Sequence, residues 1–296
     1  MPLKCIYSVG GGPSGGKLAY ALKTSVVFPG PNGDNADEDA PEWEKNKERE
    51  FELPVAINYG VLQANLPQEL NNDNCLNYYS SRARDKVRCF KVFQEYGIPH
   101  PKLISNPANY PKPFLGRRNK GSQGNGITKF RPNSPNWNNP KFKSDFFVEY
   151  IDIEKEFRVH VIKGLPICEF NKDFKDCPQF IHSGQFGAKL VFGAIDHPQR
   201  MDIINASVVA LDRVGLDFGA VDICSERGTG KWYILEINSA PCLAHEIGYL
   251  YAENLSNLLG FKLKKWWKVT STGQVIDYKE TVKLATRRKV AKPIEE

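Results

Sequence analysis

The chain has 296 residues, 41% apolar and 25% charged, with a formal net charge of +6, a composition that fits a soluble globular protein of one large or two ordinary domains. No apolar run approaches the roughly 20 residues needed to cross a bilayer, and the N-terminus lacks a basic start followed by a long apolar stretch, so neither membrane insertion nor secretion is expected. Seven cysteines without a CxxC pair argue against a disulfide framework or a zinc ribbon and for a reduced, cytoplasmic protein.

LKCIYSV reads as a buried strand running into GGGPSGGK, and KLAYAL as a short helix; strand, glycine turn and helix in this order open a nucleotide-fold-like α/β unit. Gly11, Gly16 and Lys17 have the spacing of a phosphate-binding loop, but Leu18 stands where such a loop needs Ser or Thr to hold magnesium. Residues 29–52 contain nine acids and little apolar periodicity, the pattern of a long exposed loop. VAINYG, residues 55–60, returns as a strand.

Residues 80–97, SSRARDKVRCFKVFQEYG, carry a strong helix pattern, with Ser81 as cap, Ala83, Val87 and Phe90 at helical spacing and Gly97 as stop. Lys86 is left on a polar face near the helix N-terminus, where anions bind. Residues 113–130 read as two strands joined by a loop containing Gly121, Ser122, Gly124 and Gly126. Such glycines let backbone amides approach a phosphate, although a plain hairpin loop looks the same. FFVEYI (146–151) and EFRVHVI (156–162) are further strands, and 201–214 is a helix stopped by Gly215.

FGAVDI and WYILEIN flank SERGTGK as a β-hairpin. Glu236 and Asn238, two apart, share a face, and a turn centred on Thr229 sets Asp222 opposite Glu236 at about 5 Å. Two carboxylates and an amide oxygen form a hard, all-oxygen site suited to phosphate-bound magnesium. The alternative is an exposed polar ribbon face, but Glu236 stands among Ile234, Leu235 and Ile237, where an unpaired carboxylate is costly. Residues 261–296 hold ten Lys or Arg against four acids, together with Trp266 and Trp267; this reads either as a solvated extension or as a nucleic-acid contact.

In order and spacing, DKVRCFKVFQEYGIPHPKL, PFLGRRNKGSQGNG, FFVEYI, EFRVHVIKG, LDRVGLDFGAVDI and WYILEINSAPCL resemble the ATP-grasp superfamily, in particular its carboxylate–amine ligases, over about residues 80–245. The resemblance implies an α/β (α+β) ATP-grasp fold. Its parts are an N-terminal α/β pre-ATP-grasp domain over 1–95 that helps shape the second substrate's site, an ATP-grasp domain over 96–260 with a hinge near 148–152, and the basic extension 261–296. ATP and Mg2+ are the implied cofactors, with Asp222, Glu236 and Asn238 as metal ligands. Lys86, Arg117 and the loop of Gly121, Ser122, Gly124 and Gly126 match groups on the ATP phosphates, the loop as a lid. Glu149, Tyr150 and Ile151 match the adenine edge, Glu156 the ribose, and Arg117, Arg158 and Lys172 the surroundings of the acyl phosphate. Arg117 departs from the lysine usual in the family, keeping the charge but reshaping the pocket.

The implied reaction is amide formation between a small-molecule or peptide carboxylate and an amine through an acyl phosphate, releasing ADP and phosphate. The same fold also serves thioester formation and kinase chemistry. A different class of reading is a nucleic-acid-binding protein with an inactive core and a basic tail. The five histidines form no metal spacing, and His160 and His182, near the expected site, read as structural.

Overall fold

The computed structural model describes residues 56–259, apart from 62, 67, 69, 120–125, 140, 142, 178–181, 183–186 and 244–245, and outside that span only Cys5–Ser8, Leu18, Ser25–Val27, Lys268–Val269 and Val275–Ile276. Expectations for residues 10–17, 29–52 and most of 261–296 therefore lie outside the described residues. Two compact units divide the chain: Met1–Ser81 with Ser239–Glu296, and Arg82–Asn238. The sequence segmentation put its boundaries at 95 and 260; here the helix ending at Glu95 joins the second unit, because its Phe90 and Phe93 are part of that unit's core.

In the first unit β1 (Cys5–Ser8), β2 (Ser25–Val27), β3 (Ala56–Tyr59) and β4 (Cys75–Leu76) form a parallel sheet in the order β2-β1-β3-β4. Strand β3 is buried along its whole length, as parallel strands usually are. The unit also contains the helix Glu246–Leu259, which buries Ile247, Tyr251, Leu255 and Leu259 at helical spacing. Among the described residues no helix is long and apolar enough to cross a membrane.

The second unit opens with a 3-10 turn, Ser80–Arg84, and then α1, Lys86–Glu95. The cap is Asp85 rather than Ser81: extended backbone at Asp85 lets its carboxylate accept from the Arg88 N–H at 3.0 Å. The Val87 N–H donates to Asn119 Oδ1 at 3.0 Å. These two helix-terminal donors are thus satisfied within the chain, and what α1 offers an anion is the Lys86 side chain. Strands β5 (Phe114–Arg117), β6 (Thr128–Phe130) and β7 (Phe146–Glu149) form a small antiparallel sheet in the order β6-β5-β7. Phe114 and Phe130 pack with Ile104 on one side, while Phe146 and Val148 share a core with Phe90 and Phe93 of α1.

Five antiparallel strands follow, β8 (Ile153–Ile162), β9 (Leu165–Asp173), β10 (Lys189–Phe192), β11 (Phe218–Glu226) and β12 (Trp232–Asn238), in the order β10-β9-β8-β11-β12. Helix α2 (Arg200–Val214) precedes β11 and stops at Gly215, whose φ of 85 provides the left-handed cap. Phe157, Val159, Val161, Val221 and Ile223 join Ile203, Ile204 and Leu211 of α2 in the largest core. By the two-residue period of a strand, Glu156, Arg158, His160 and Asp222 take the opposite face.

The hairpin reaches its register through an irregularity. Near the turn, which closes with Glu226 N–H donating to Lys231, Ile223 pairs with Ile234; one step on, Asp222 pairs with Glu236. Leu235 is the extra residue of a β-bulge. The bulge lets Ile234 and Ile237, three apart, both enter the core, and it delivers Glu236 to the polar face opposite Asp222. Gly219 on β11 packs tightly here: an added Cβ would lie 2.8 Å from the Asn238 carbonyl oxygen and 2.9 Å from Leu211. Gly219→Ala is therefore expected to destabilise the unit by about 1–3 kcal/mol, read as a lowered midpoint in urea unfolding; an unchanged midpoint would show that the hairpin accommodates the methyl group.

Candidate active site

Strand register assembles the polar face row by row. Lys172, Glu156 and Cys224 are neighbours across β9, β8 and β11; Arg158, Asp222 and Glu236 follow across β8, β11 and β12; His160, Ala220 and Asn238 form the next row. Of the residues expected to hold metal, Asp222 and Asn238 touch, the amide donating to Asp222 Oδ2 at 3.1 Å. Glu236 lies in the same row as Asp222 and receives Lys86 Nζ and Arg117 Nη2, each at 3.3 Å. Helix α1, strand β5 and the hairpin thus converge on one carboxylate.

Asp222 is occupied as well. Arg158 grips it in bidentate fashion, Nε to Oδ1 at 2.6 Å and Nη2 to Oδ2 at 2.8 Å, with Asp222 buried and Arg158 part-buried. Burial pushes the Asp222 carboxyl up, but the Arg158 and Lys172 charges outweigh it and bring its pKa down to about 2. For Glu236, burial again raises and Lys86 and Arg117 lower, with a net fall. Burial drives the buried His160 down to about 3, so its imidazole is neutral at ordinary pH.

Glu156, expected beside a ribose, has both oxygens engaged: Oε2 with Lys172 Nζ and Oε1 with His182 Nδ1, each at 2.5 Å. The Lys172 ammonium also donates to the His182 carbonyl at 3.2 Å. Near the expected adenine edge, the Glu149 and Tyr150 N–H groups donate to the Lys102 and Pro113 carbonyls, Ile151 is buried, and Lys129 Nζ lies 3.4 Å from the centre of the Tyr150 ring. Gly121, Ser122 and Gly124 lie outside the described residues. Gly126 has φ 75 and packs against Arg118, where a Cβ would come within 2.8 Å.

Two observations test the fit of magnesium and a nucleotide. The oxygens of Asp222, Glu236 and Asn238 have the donor chemistry magnesium takes, although among the described residues no group of three or more His, Cys, Asp or Glu is placed to hold a metal. Arg117 keeps its Nε buried with no hydrogen-bond partner among the described residues, a donor that an anionic oxygen would satisfy. The residues fit both groups, on condition that Arg158 yields Asp222.

That ion pair has a measurable signature. With the folded pKa below the ordinary aspartate value of about 3.9, its contribution is full above about pH 4 and is lost as pH falls toward about 2. Asp222→Asn leaves the part-buried Arg158 without its carboxylate, at an expected cost of up to about 3–5 kcal/mol in urea unfolding at neutral pH. The gap from wild type should narrow below about pH 4, whereas a constant gap would mean that ionisation of Asp222 is not its source.

No protein-family model matches the sequence, and no curated protein matches it. Solved structures do. The ATP-grasp ligase PsnB complexed with minimal precursor, Mg and ADP aligns at 13% identity and a TM-score of 0.56, covering 88% of this chain and 96% of that one. D-alanine–D-alanine ligase from Bacillus anthracis complexed with ATP aligns at 14% and 0.54 over 96% and 98%. N5-carboxyaminoimidazole synthetase from Staphylococcus aureus gives 14% and 0.59 over 89% and 80%. Helix α1, the small sheet and the five-stranded sheet occur in the order the sequence resemblance implied, and the chain has the ATP-grasp fold.

Proposed function

We propose that the protein is an ATP-dependent carboxylate–amine ligase working through an acyl phosphate. The observation that carries this is the convergence of Asp222, Glu236 and Asn238 with Lys86, Arg117, Arg158 and Lys172 on one face of the large sheet. The four cations outnumber the carboxylates of Asp222, Glu236 and Glu156 by one, which favours an incoming polyphosphate. The ligases that share the fold support the same reading: they are seen complexed with ATP, with minimal precursor, Mg and ADP, and with a precursor peptide.

When bound, magnesium-ATP supplies the phosphoryl group and the divalent charge that offsets its transfer. Asp222, Glu236 and Asn238 would hold the metal, while Lys86 and Arg117 turn from Glu236 toward phosphate oxygens. Arg158, released from Asp222, and Lys172 stabilise charge on the transferred group. A substrate carboxylate oxygen attacks the γ-phosphorus as the bond to ADP breaks; an amine then attacks the acyl carbon, phosphate leaves and the nitrogen loses a proton. Adenine would fall to Glu149, Tyr150 and Ile151, and Gly121, Ser122, Gly124 and Gly126 are assigned with the cations to the phosphates.

ADP release that depends on a pool of small-molecule and peptide carboxylates, with hydroxamate formed in added hydroxylamine, tests the chemistry; ADP release without hydroxamate would indicate a kinase instead. In that assay Glu236→Gln, read under conditions where the variant remains folded, is expected to abolish turnover, with a lowered unfolding midpoint because Lys86 and Arg117 lose their carboxylate; full activity in the variant would remove the metal assignment. Lys86→Ala and Arg117→Ala are each expected to weaken calorimetric Mg-ADP binding by about tenfold or more, the scale of losing a charge-assisted contact. Lys17→Ala should leave binding nearly unchanged. A loss confined to the Lys17 variant would move the nucleotide to the glycine segment after β1.

A further inference from the structure

Of the three acids on the polar face, Glu156 is the one with no metal role in the reading above, and its surroundings are the most closed. Its side chain, like that of His182, is 4% exposed, and that of Lys172 is 9% exposed. A carboxylate only accepts hydrogen bonds, so His182 Nδ1 must carry the proton that it directs at Glu156 Oε1. The His182 ring is further fixed by stacking on Phe174, with centroids 3.9 Å apart and planes inclined at 11°. Among the described residues, two of the three N–H donors of Lys172 are spent, on Glu156 Oε2 and the His182 carbonyl, which leaves one for a ligand.

We propose that His182 is a positioning residue: acting through Glu156, it fixes the Lys172 ammonium so that its remaining N–H is presented to the phosphate oxygens of the reaction. Glu156 on this account serves Lys172 rather than a ribose. Loss of the histidine frees Glu156 to rotate, and the ammonium rotates with it. A buried ion pair held by further hydrogen bonds keeps its geometry, and one with an open side does not. The role of Lys172 at phosphate rests on the ligase reading; the control of its ammonium by His182 does not.

The experiment uses full-length protein labelled with 15N-lysine, reading hydrogen exchange at Lys172 Nζ by NMR without nucleotide. His182→Ala and His182→Phe both remove the N–H, and the second keeps a ring against Phe174; each should speed exchange by about tenfold or more, as for loss of a hydrogen bond to a charged group. His182→Asn, whose amide can occupy the place of Nδ1–H, should stay within about twofold of wild type. Calorimetry with Mg-ADP and Mg-2′-deoxy-ADP supplies the second arm: affinities within about threefold are expected, since a hydrogen bond absent from both complexes distinguishes neither. Unchanged Lys172 exchange in both donor-less variants overturns the proposal. So does a preference for the 2′-hydroxyl of about tenfold that Glu156→Gln abolishes. Failure of Mg-ADP to bind at all would strike the ligase reading and leave the exchange result to decide the role of His182.

Discussion

Charge buried on a sheet face must be neutralised, and that requirement organises the second unit. The polar face of the five-stranded sheet carries Glu156, Arg158, Lys172, Asp222 and Glu236, while the other face of the same strands forms the main apolar core. Removing any of these ions from water is costly unless a partner is in contact. Each therefore has one, and the partners come from different elements: β8 supplies Arg158 to β11, β9 supplies Lys172 to β8, and α1 and β5 supply Lys86 and Arg117 to β12. Strand register is thus tied to charge pairing, because a slip of one residue would turn ions into the core.

This arrangement also bears on function. The acids suited to magnesium are already satisfied by the chain's own cations, so on the proposed reading a metal-nucleotide complex would exchange partners rather than fill a bare acidic pocket. Phosphate oxygens would then compensate the cations that the metal displaces. The departure from lysine at Arg117 fits this picture. Its planar fork reaches Glu236 with one nitrogen and still holds a buried Nε with no partner among the described residues, which the single ammonium of a lysine could not do.

The sequence made the hairpin legible but not its construction. The pairing of Asp222 with Glu236 followed from a turn centred on Thr229, whereas the chain turns between Glu226 and Lys231 and recovers the pairing through a bulge at Leu235. The sign of that bulge was present in Ile234 and Ile237, which strict alternation cannot bring to one side. Helix α1 was visible from its apolar spacing, but Asp85 outcompeted Ser81 as cap, because the residues before it wind as a 3-10 turn. Strands β9 and β10 escaped notice: Pro166 stands at the second position of β9, and its polar end, Asn171 to Asp173, reads as loop. The bidentate grip of Arg158 on Asp222, 64 residues apart, depends on the β8–β11 register, and the His182 contact on tertiary placement; no local pattern encodes either.

The central claim is that nucleotide is held by the second unit. Hydrogen–deuterium exchange with and without magnesium and a non-hydrolysable ATP analogue measures this most directly. The account predicts slowed exchange in peptides covering residues 115–128, 146–160 and 218–238. Protection appearing at residues 10–17, and nowhere in those three segments, would contradict it.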